Sequence, residues 1–288
     1  MAIVGPVGTL DARQCAQVAV DVLPRQVNRG GKGSFMRYMG REYTGKGVKI
    51  ALIDSGVDVS DPRLVGANVQ GWSITLNATG HAMLSSDFAD QNGHGTEIAA
   101  AIHRAAPDAE ILAVKIMGER LRTSAELMAA GIETSSRAGC AVVNLSLGTP
   151  NMGKALLLRD CCANAVDAGT VVLAAAHPKG ERAYPADLPE TLGIAAHPDC
   201  PMDKYYYFNP KRFPRKEWGV LSDKILAHGY GINPDGTPGR YRGSGMATAY
   251  MSGVAGCLAE SQGERNAQTL IATLRRAALI PIPEIGYS

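Results

Sequence analysis

The chain has 288 residues, of which 45% are hydrophobic and 19% charged, a composition that excludes an intrinsically disordered protein. A chain of this length buries a full hydrophobic core, so folding requires neither a disulfide nor a metal. Lysine plus arginine (29) exceed aspartate plus glutamate (27) by only two, which favours neither nucleic acid nor acidic lipid as a partner.

Targeting signals are not apparent in the sequence. Residues 1–6 lack the basic and apolar pattern of a signal peptide, and no apolar stretch is long enough to span a membrane. The cysteines are therefore expected to be reduced thiols, and the protein is expected to be cytoplasmic. These cysteines are Cys15, Cys140, Cys161, Cys162, Cys200 and Cys257.

Residues 1–45 are interpreted as an N-terminal extension, with a short helix over 11–23, and residues 46–288 as a single domain. From residue 45 onward, apolar strands alternate with helices. Strands are predicted over 48–53, 111–116, 141–145, 171–176 and 192–196. Helices are predicted over 95–104, 124–137, 154–168, 245–260 and 267–278. This alternation predicts an α/β fold in three layers, with a mostly parallel twisted sheet and helices on both faces.

Three polar residues stand directly after predicted strands: Asp54, Ser146 and His177. In open parallel sheets the ligand site lies beyond the carboxyl ends of the strands. The pattern therefore places these three residues at the edge where a site is expected.

Three short glycine-containing segments carry the chemistry: Ile-Asp-Ser-Gly-Val-Asp at 53–58, Asn-Gly-His-Gly-Thr at 92–96, and Gly-Ser-Gly-Met-Ala-Thr-Ala at 243–249. Together and in this order they resemble the subtilase family of serine proteases, whose motifs follow the order Asp, His, Ser. The resemblance covers roughly residues 45–280 and implies a subtilisin-like fold. It also implies that Asp54 orients and stabilises His94, which acts as the base.

The third segment departs from the family pattern Gly-Thr-Ser-Met-Ala-x-Pro. Gly245 stands at the position of the nucleophilic serine, Ser244 at that of the threonine, and Ala249 at that of the proline. Neighbouring residues of a helix point about 100° apart, so the hydroxyl of Ser244 is expected to miss His94.

A second departure affects the oxyanion site. Residues 171–180 resemble the family strand that ends in Ala-Ala-Gly-Asn-x-Gly, whose asparagine donates to the developing oxyanion. Pro178 occupies the asparagine position and offers no donor. His177 is either a substitute donor or a turn residue before proline. With both departures, the chain is expected to have no useful serine-protease activity.

The peptide groove does not depend on the missing serine. Residues 142–148 resemble the family's substrate strand, whose backbone pairs with an extended peptide. The opposite wall is implied after Gly118, where Arg120 and Arg122 either favour acidic substrate residues or are simply solvated. The residues implied to bind substrate are Ser146, Leu147, Gly148, Leu121, Arg122 and Thr123.

No cofactor is expected, and zinc is disfavoured because His197, Cys200 and His228 lack zinc spacing. Calcium is common in the family, but no ligands are assigned. The aromatic and basic segment 205–218 is interpreted as a surface loop that packs its aromatics on the body, or as a partner-docking lid. Nucleic-acid binding is disfavoured because the net charge is small.

The favoured hypothesis is a subtilisin-like pseudoprotease that binds an extended peptide, with a role in peptide maturation. One alternative is an active Asp-His-Ser endopeptidase present here as a Ser-to-Gly variant. Another is an assembly protein that uses segment 205–218. Pro178 and Ala249 also depart from the pattern, which favours a natural alteration of the site. The expected partner is a peptide or protein rather than a membrane, and the oligomeric state stays open.

Overall fold

A nine-stranded, mostly parallel sheet forms the centre of the molecule. The computed structural model describes residues 21–23, 35–198, 200–201, 204–208, 222–233 and 238–278. The described strands are β1 (Asp21–Leu23), β2 (Phe35–Tyr38), β3 (Arg41–Tyr43), β4 (Lys49–Asp54), β5 (Asn68–Leu76), β6 (Ala82–Ser85), β7 (Glu110–Lys115), β8 (Val142–Leu145), β9 (Val171–Ala175), β10 (Leu192–Ala196), β11 (Tyr205–Phe208), β12 (Lys224–Ala227), β13 (Tyr230–Ile232) and β14 (Pro238–Arg242).

The strand order across the central sheet is β11-β12-β10-β9-β8-β4-β7-β5-β6. Neighbours run parallel except at the two edges, where β6 pairs antiparallel with β5 and β11 with β12. Two smaller antiparallel sheets, β1-β2-β3 and β13-β14, flank it. Strand β4 thus lies between β7 and β8, in the interior of the sheet.

Five α-helices cover the two faces of the sheet in the described part of the chain. They are α1 (His94–Ala105), α2 (Ala125–Arg137), α3 (Ala155–Asp167), α4 (Ser244–Gln262) and α5 (Ala267–Ala277). The helices α1, α4 and α5 pack on one face, and α2 and α3 on the other. The architecture is the three-layer α/β arrangement that the sequence predicts.

The side chains of β4 show how one strand serves two cores. Ile50 and Leu52 belong to the apolar cluster beneath α1, α4 and α5, whereas Ala51 and Ile53 belong to the cluster beneath α2 and α3. Successive side chains of a strand point to opposite faces, so a strand covered on both sides must be apolar throughout. That burial explains the continuous apolar run at 50–53.

The predicted strands and helices after residue 45 agree with the observed ones to within two residues at each end. Local signals explain this agreement. The Ser124 hydroxyl caps α2 by accepting from the Leu127 N–H (3.3 Å). Gly169, at φ +83°, follows the end of α3 in a conformation that glycine adopts readily.

The N-terminal helix prediction is wrong where the structure describes it. Residues 21–23 of the predicted helix 11–23 form β1, which pairs with β2, and the rest of that helix lies outside the described residues. Pairing with a neighbouring strand overrides local helix propensity there. Met36 of β2 is fully buried in the core, so this part of the predicted extension packs on the domain.

The aromatic segment divides at residue 208. Residues 205–208 form β11, with Tyr205, Tyr206 and Phe208 buried against the body. The Tyr205 hydroxyl donates to the Leu274 carbonyl (3.0 Å). The remainder of segment 205–218, from residue 209 on, lies outside the described residues. The described aromatics therefore pack on the body.

The cysteines and the helix lengths bear on the predicted thiols and membrane spans. No disulfide is present among the five described cysteines, and Cys15 lies outside the described part. None of the described helices combines the length and apolarity needed to cross a membrane.

Candidate active site

Asp54 and His94 form a hydrogen-bonded pair at the carboxyl end of β4. Asp54 is fully buried, and its Oδ1 accepts from the Ser55 N–H (2.8 Å) and lies 2.7 Å from His94 Nδ1. Since a carboxylate only accepts, Nδ1 carries a proton in this contact. The other ring nitrogen, Nε2, is then left to act as an acceptor, as a general base requires.

Glycines let the first two motifs touch. A Cβ built on Gly95 would lie only 2.1 Å from the Gly56 carbonyl oxygen. Gly56 has φ +104°, and a Cβ there would lie 2.3 Å from the Phe88 oxygen. No other residue fits such close backbone approaches, so the glycine-flanked motifs bring the start of α1 against the end of β4.

Asp90 organises the loop before His94 and is a residue that sequence reasoning missed. Its Oδ1 accepts from Ser55 Oγ (3.0 Å) and from the N–H groups of Asn92 (2.9 Å) and Gly93 (3.0 Å). Its Oδ2 accepts from the Thr96 N–H (2.9 Å) and hydroxyl (2.7 Å). Burial alone would raise the pKa of Asp90, but these hydrogen bonds outweigh it and lower the pKa.

A local signal for Asp90 was present in the sequence. An aspartate in a turn just before a helix is a common cap for the first N–H groups of that helix. Ser55 joins the same network, because its hydroxyl accepts from the Gly95 N–H (2.9 Å) while donating to Asp90. Hydrogen bonds from the segment 53–58 and from the segment 92–96 thereby hold the loop that precedes His94.

Carboxylates around His94 favour its charged form. Burial is the largest single influence and would lower the pKa, but the hydrogen bond to Asp54 and the charges of Asp54, Asp90 and Glu97 outweigh it. The pKa of His94 is therefore raised. The ring also packs edge-on against Tyr241 of β14, with 5.2 Å between ring centroids.

Gly245 lies at the start of α4, facing Ser146. A Cβ built on Gly245 would lie 3.5 Å from both Cβ and the carbonyl oxygen of Ser146, an ordinary contact distance. The Ser244 hydroxyl accepts from the Ala196 N–H of β10 at 3.4 Å. The hydroxyl next to Gly245 is thus bonded to the sheet.

Pro178 and His177 follow the end of β9, as predicted. Pro178 is exposed, and His177 is half-buried. The His177 Nδ1 accepts from the Lys179 N–H (3.3 Å), and its Nε2 lies 3.9 Å from Glu181 Oε2. These contacts stay within one turn of the chain, and a donor role for His177 toward the cleft stays a prediction.

The predicted substrate strand continues from β8 past the sheet edge. Ser146 and Leu147 are half-buried and Gly148 is exposed. The Asn144 side chain supports this segment, since its Nδ2 donates to Ser146 Oγ (2.9 Å) and its Oδ1 accepts from Ser252 Oγ (2.9 Å). A buried polar chain therefore links the segment to α4.

The predicted opposite wall is tied to the His94 loop. Asn92 Nδ2 donates to the Glu119 carbonyl oxygen (2.8 Å). Leu121 is held at φ +51°, an uncommon conformation for a residue with a side chain, while Arg122 is exposed and Thr123 half-buried. The side-chain amide of Asn92 therefore connects the predicted wall to the loop that precedes His94.

The structure brings some predicted site residues together and leaves others apart. It joins Asp54 to His94 and places Gly245 against Ser146. Among hydrogen bonds between described residues, none links His177 or Arg122 to these groups. Within the described part of the chain, no group of three His, Cys, Asp or Glu side chains is placed to hold a metal ion. Calcium binding, for which the sequence assigns no ligands, stays open.

Comparison with known proteins places this arrangement in a family. The model of the subtilase family, Peptidase S8, matches residues 45–285. Thermitase of Thermoactinomyces vulgaris is 33% identical over 251 residues, which cover 81% of this chain and 82% of thermitase. Subtilisin E of Bacillus subtilis (strain 168) is 32% identical over 231 residues, covering 74% of this chain and 55% of subtilisin E.

A solved structure shares the fold. The prenylagaramide maturation protease PagA superposes with a TM-score of 0.61 at 24% identity, covering 82% of this chain and 85% of PagA. The chain spans about half the length of subtilisin E but most of thermitase. The match of the family model, the three-layer fold and the order of the motifs agree, and the chain belongs to the subtilase family.

Proposed function

We propose that this chain is a subtilisin-fold protein that binds an extended peptide and has lost most or all of its protease chemistry. The observation that carries the proposal is the glycine at 245, beside a complete Asp54–His94 pair. A base without a neighbouring hydroxyl cannot form an acyl-enzyme. In this family, loss of the nucleophile lowers turnover by a factor on the order of 10⁶.

Ser244 does not offer an easy replacement. Its hydroxyl is engaged by the Ala196 N–H at 3.4 Å, and its Cα precedes the nucleophile position by one helical residue. Turning this hydroxyl toward His94 would break its hydrogen bond with the Ala196 N–H. Ser244 is therefore assigned a structural role at the helix start.

The oxyanion side is weakened as well. Pro178 stands at the position of the family's asparagine donor and has neither a side-chain donor nor an N–H. Loss of such a donor costs roughly 10²–10³ in turnover. The two losses together support a protein selected for holding a peptide rather than for cutting it.

The groove supports peptide binding because it relies on backbone groups. Ser146, Leu147 and Gly148 extend beyond β8, where a peptide can pair with them as an added strand. Proteins of similar fold include a prenylagaramide maturation protease and a lanthipeptide protease, so short precursor peptides are the proposed ligands. We place this role in the cytoplasm, with no cofactor.

The direct test is calorimetric titration of the chain with a library of acetylated hexapeptides. Saturable binding of extended peptides is expected, together with no labelling of the chain by a fluorophosphonate probe. If no peptide binds, or if the unaltered chain is labelled and cleaves peptides, the proposal is wrong. Ser244→Ala serves as the matched control and should leave both results unchanged.

An active endopeptidase with serine at 245 is the second candidate. A Cβ at 245 meets only ordinary contacts at 3.5 Å, so a serine fits there without rearrangement. Under this alternative the chain described here is a trapped variant, and Gly245→Ser restores labelling and peptide cleavage in full, without the limit that the missing oxyanion donor at Pro178 would impose. Labelling of Gly245→Ser would also show that Asp54 and His94 are aligned for chemistry.

A further inference from the structure

A buried ammonium lies outside the catalytic cleft, in β12. The Lys224 side chain is only 4% exposed. Its Nζ donates to the Ala186 carbonyl oxygen (3.0 Å), to Asp187 Oδ1 (2.7 Å) and to Ser222 Oγ. An ammonium has three N–H groups, so each N–H of Lys224 has one acceptor.

Gly193 makes room for this lysine. Gly193 of β10 is the register partner of Lys224 in the sheet. A Cβ on Gly193 would lie 2.7 Å from Lys224 Cδ and 2.8 Å from its Cε. It would also lie 2.4 Å from the Ala186 oxygen. The aliphatic part of the Lys224 side chain therefore crosses β10 at Gly193, which has no side chain, and reaches the loop over 183–188.

Asp187 closes that loop on itself. Its Oδ2 accepts from the Ala183 N–H (2.7 Å), and its Oδ1 accepts from Ser222 Oγ (3.0 Å) in addition to Lys224. Burial alone would raise the pKa of Asp187, but the Lys224 charge and these hydrogen bonds lower it. These contacts favour the ionised form of Asp187, whereas burial lowers the pKa of Lys224 in spite of the opposing effect of Asp187.

The same loop lies against the predicted peptide-binding segment. Thr149 and Tyr184 exchange two backbone hydrogen bonds, each 2.9 Å. A Cβ built on Gly148 would lie 3.0 Å from the Tyr184 carbonyl oxygen and 3.5 Å from the Ala183 Cβ. Any shift of the loop therefore changes the space beside Gly148.

We infer that Lys224 and Asp187 are a positioning pair that fixes the loop over 183–188 and thereby selects which peptide side chains fit beside Gly148. The inference rests on the proposed peptide-binding function. An apolar pair of similar volume is often as stable as a buried ion pair, so stability alone does not account for the charges. A unique loop geometry does account for the charges, because Lys224 donates both to the Ala186 carbonyl oxygen and to Asp187 Oδ1 and so fixes these two residues relative to β12.

The test replaces both charges at once, because removing one leaves the other buried without a partner. The double variant K224M/D187L is compared with the control K49M/E110L. The control removes the Lys49–Glu110 ion pair (3.1 Å), which joins the amino ends of β4 and β7. Each protein is titrated with a positional-scanning library of acetylated hexapeptides. Hydrogen exchange is followed at the Thr149 and Tyr184 amides.

The expected result is at least a tenfold loss of side-chain selectivity at one peptide position in K224M/D187L. Faster exchange of the Thr149 and Tyr184 amides should accompany it, and K49M/E110L should retain both properties. If K224M/D187L does not fold, Ser222→Ala, which removes one acceptor of the ammonium, is measured in the same way with the same direction expected.

Unchanged exchange at both amides, or unchanged selectivity in a folded variant, would overturn the inference. A general loss of affinity without a change in selectivity would also overturn it, since that result indicates only a structural role. If the unaltered chain binds no peptide, the proposed function fails. Faster exchange in the variant would then still support the fixing of the loop.

Discussion

The two sides of the cleft differ in how completely they are built. On the histidine side, Asp54, Ser55, Asp90 and Thr96 form a continuous hydrogen-bond network around His94. On the opposite side, Gly245 has no side chain. The hydrogen bonds of the histidine side therefore do not depend on a side chain at residue 245.

The hydrogen bonds around His94 have a structural role. The Thr96 hydroxyl accepts from the Asp58 N–H (3.0 Å) while donating to Asp90, and Ser55 accepts from Gly95 at the start of α1. These groups hold two loops and a helix end together, so their loss would leave buried polar atoms unpaired. A side chain at residue 245 is not part of this network, so a glycine there lowers the stability of the fold little.

Restoring the serine should have the largest effect of any single change. Gly245→Ser is expected to raise peptide-cleavage activity by at least about 10³ over the unaltered chain, since the nucleophile contributes on the order of 10⁶. The missing oxyanion donor limits the gain. Turnover of a fluorogenic peptide measures it, with Gly245→Ala as the control that fills the space without a hydroxyl. Equal activity in both variants would show that the cleft is misaligned.

The oxyanion side can be examined in the same background. Adding Pro178→Asn to Gly245→Ser is expected to raise turnover by roughly 10²-fold, because an amide donor then faces the developing charge. Pro178→Ala removes the ring without adding a donor and should give no such gain. A matching increase in both variants would mean that loop freedom, and not a hydrogen bond, is responsible.

A substitution in the loop before His94 should change the free energy of unfolding rather than the chemistry. Asp90→Asn replaces one accepting oxygen by an amide that cannot accept, so some of five hydrogen bonds are lost. We expect a loss of about 2 kcal/mol in the free energy of unfolding, measured by urea denaturation. Asp87→Asn is the matched control, because the exposed Asp87 accepts only from the Ala89 N–H (3.0 Å) among described bonds. A similar loss in both variants would argue against the network.

The smallest expected effect is a pH dependence of stability from His94. Its pKa is raised in the folded state, so its contribution is fully present below the unfolded-state pKa and is lost as pH rises through the folded-state value. The free energy of unfolding of the unaltered chain should exceed that of His94→Gln most at about pH 5 and least at about pH 9. A difference that grows with pH would contradict the assigned charges.

Much of the fold was predictable because its signals are local. The apolar run at 50–53 and the cap at Ser124 each fix an element without reference to distant residues. The edge hairpin of β5 and β6 was not predicted, since β6 is exposed on both faces and carries no apolar alternation. Strand β1 was mistaken for helix because only its pairing with β2 defines it.

The candidate site was predictable in part for the same reason. The motifs around Asp54, His94 and Gly245 are contiguous and could be read directly from the sequence. The contribution of Asp90 is only partly local: its turn before α1 could be recognised, but its hydrogen bond with Ser55 joins residues 35 positions apart, which no linear pattern shows. The partnership of Lys224 with Asp187, 37 residues apart, is equally invisible in a linear pattern.

The sequence by itself determined the family and the α/β layering, and it predicts that Gly245 stands at the nucleophile position. It could do so because glycine-flanked motifs and the alternation of apolar strands with helices are local properties of the chain. Only the tertiary structure decided that the Ser244 hydroxyl faces Ala196 and that the Lys224 stem crosses Gly193 to reach Asp187. Those contacts depend on how separate strands and loops pack in space, which no single segment encodes.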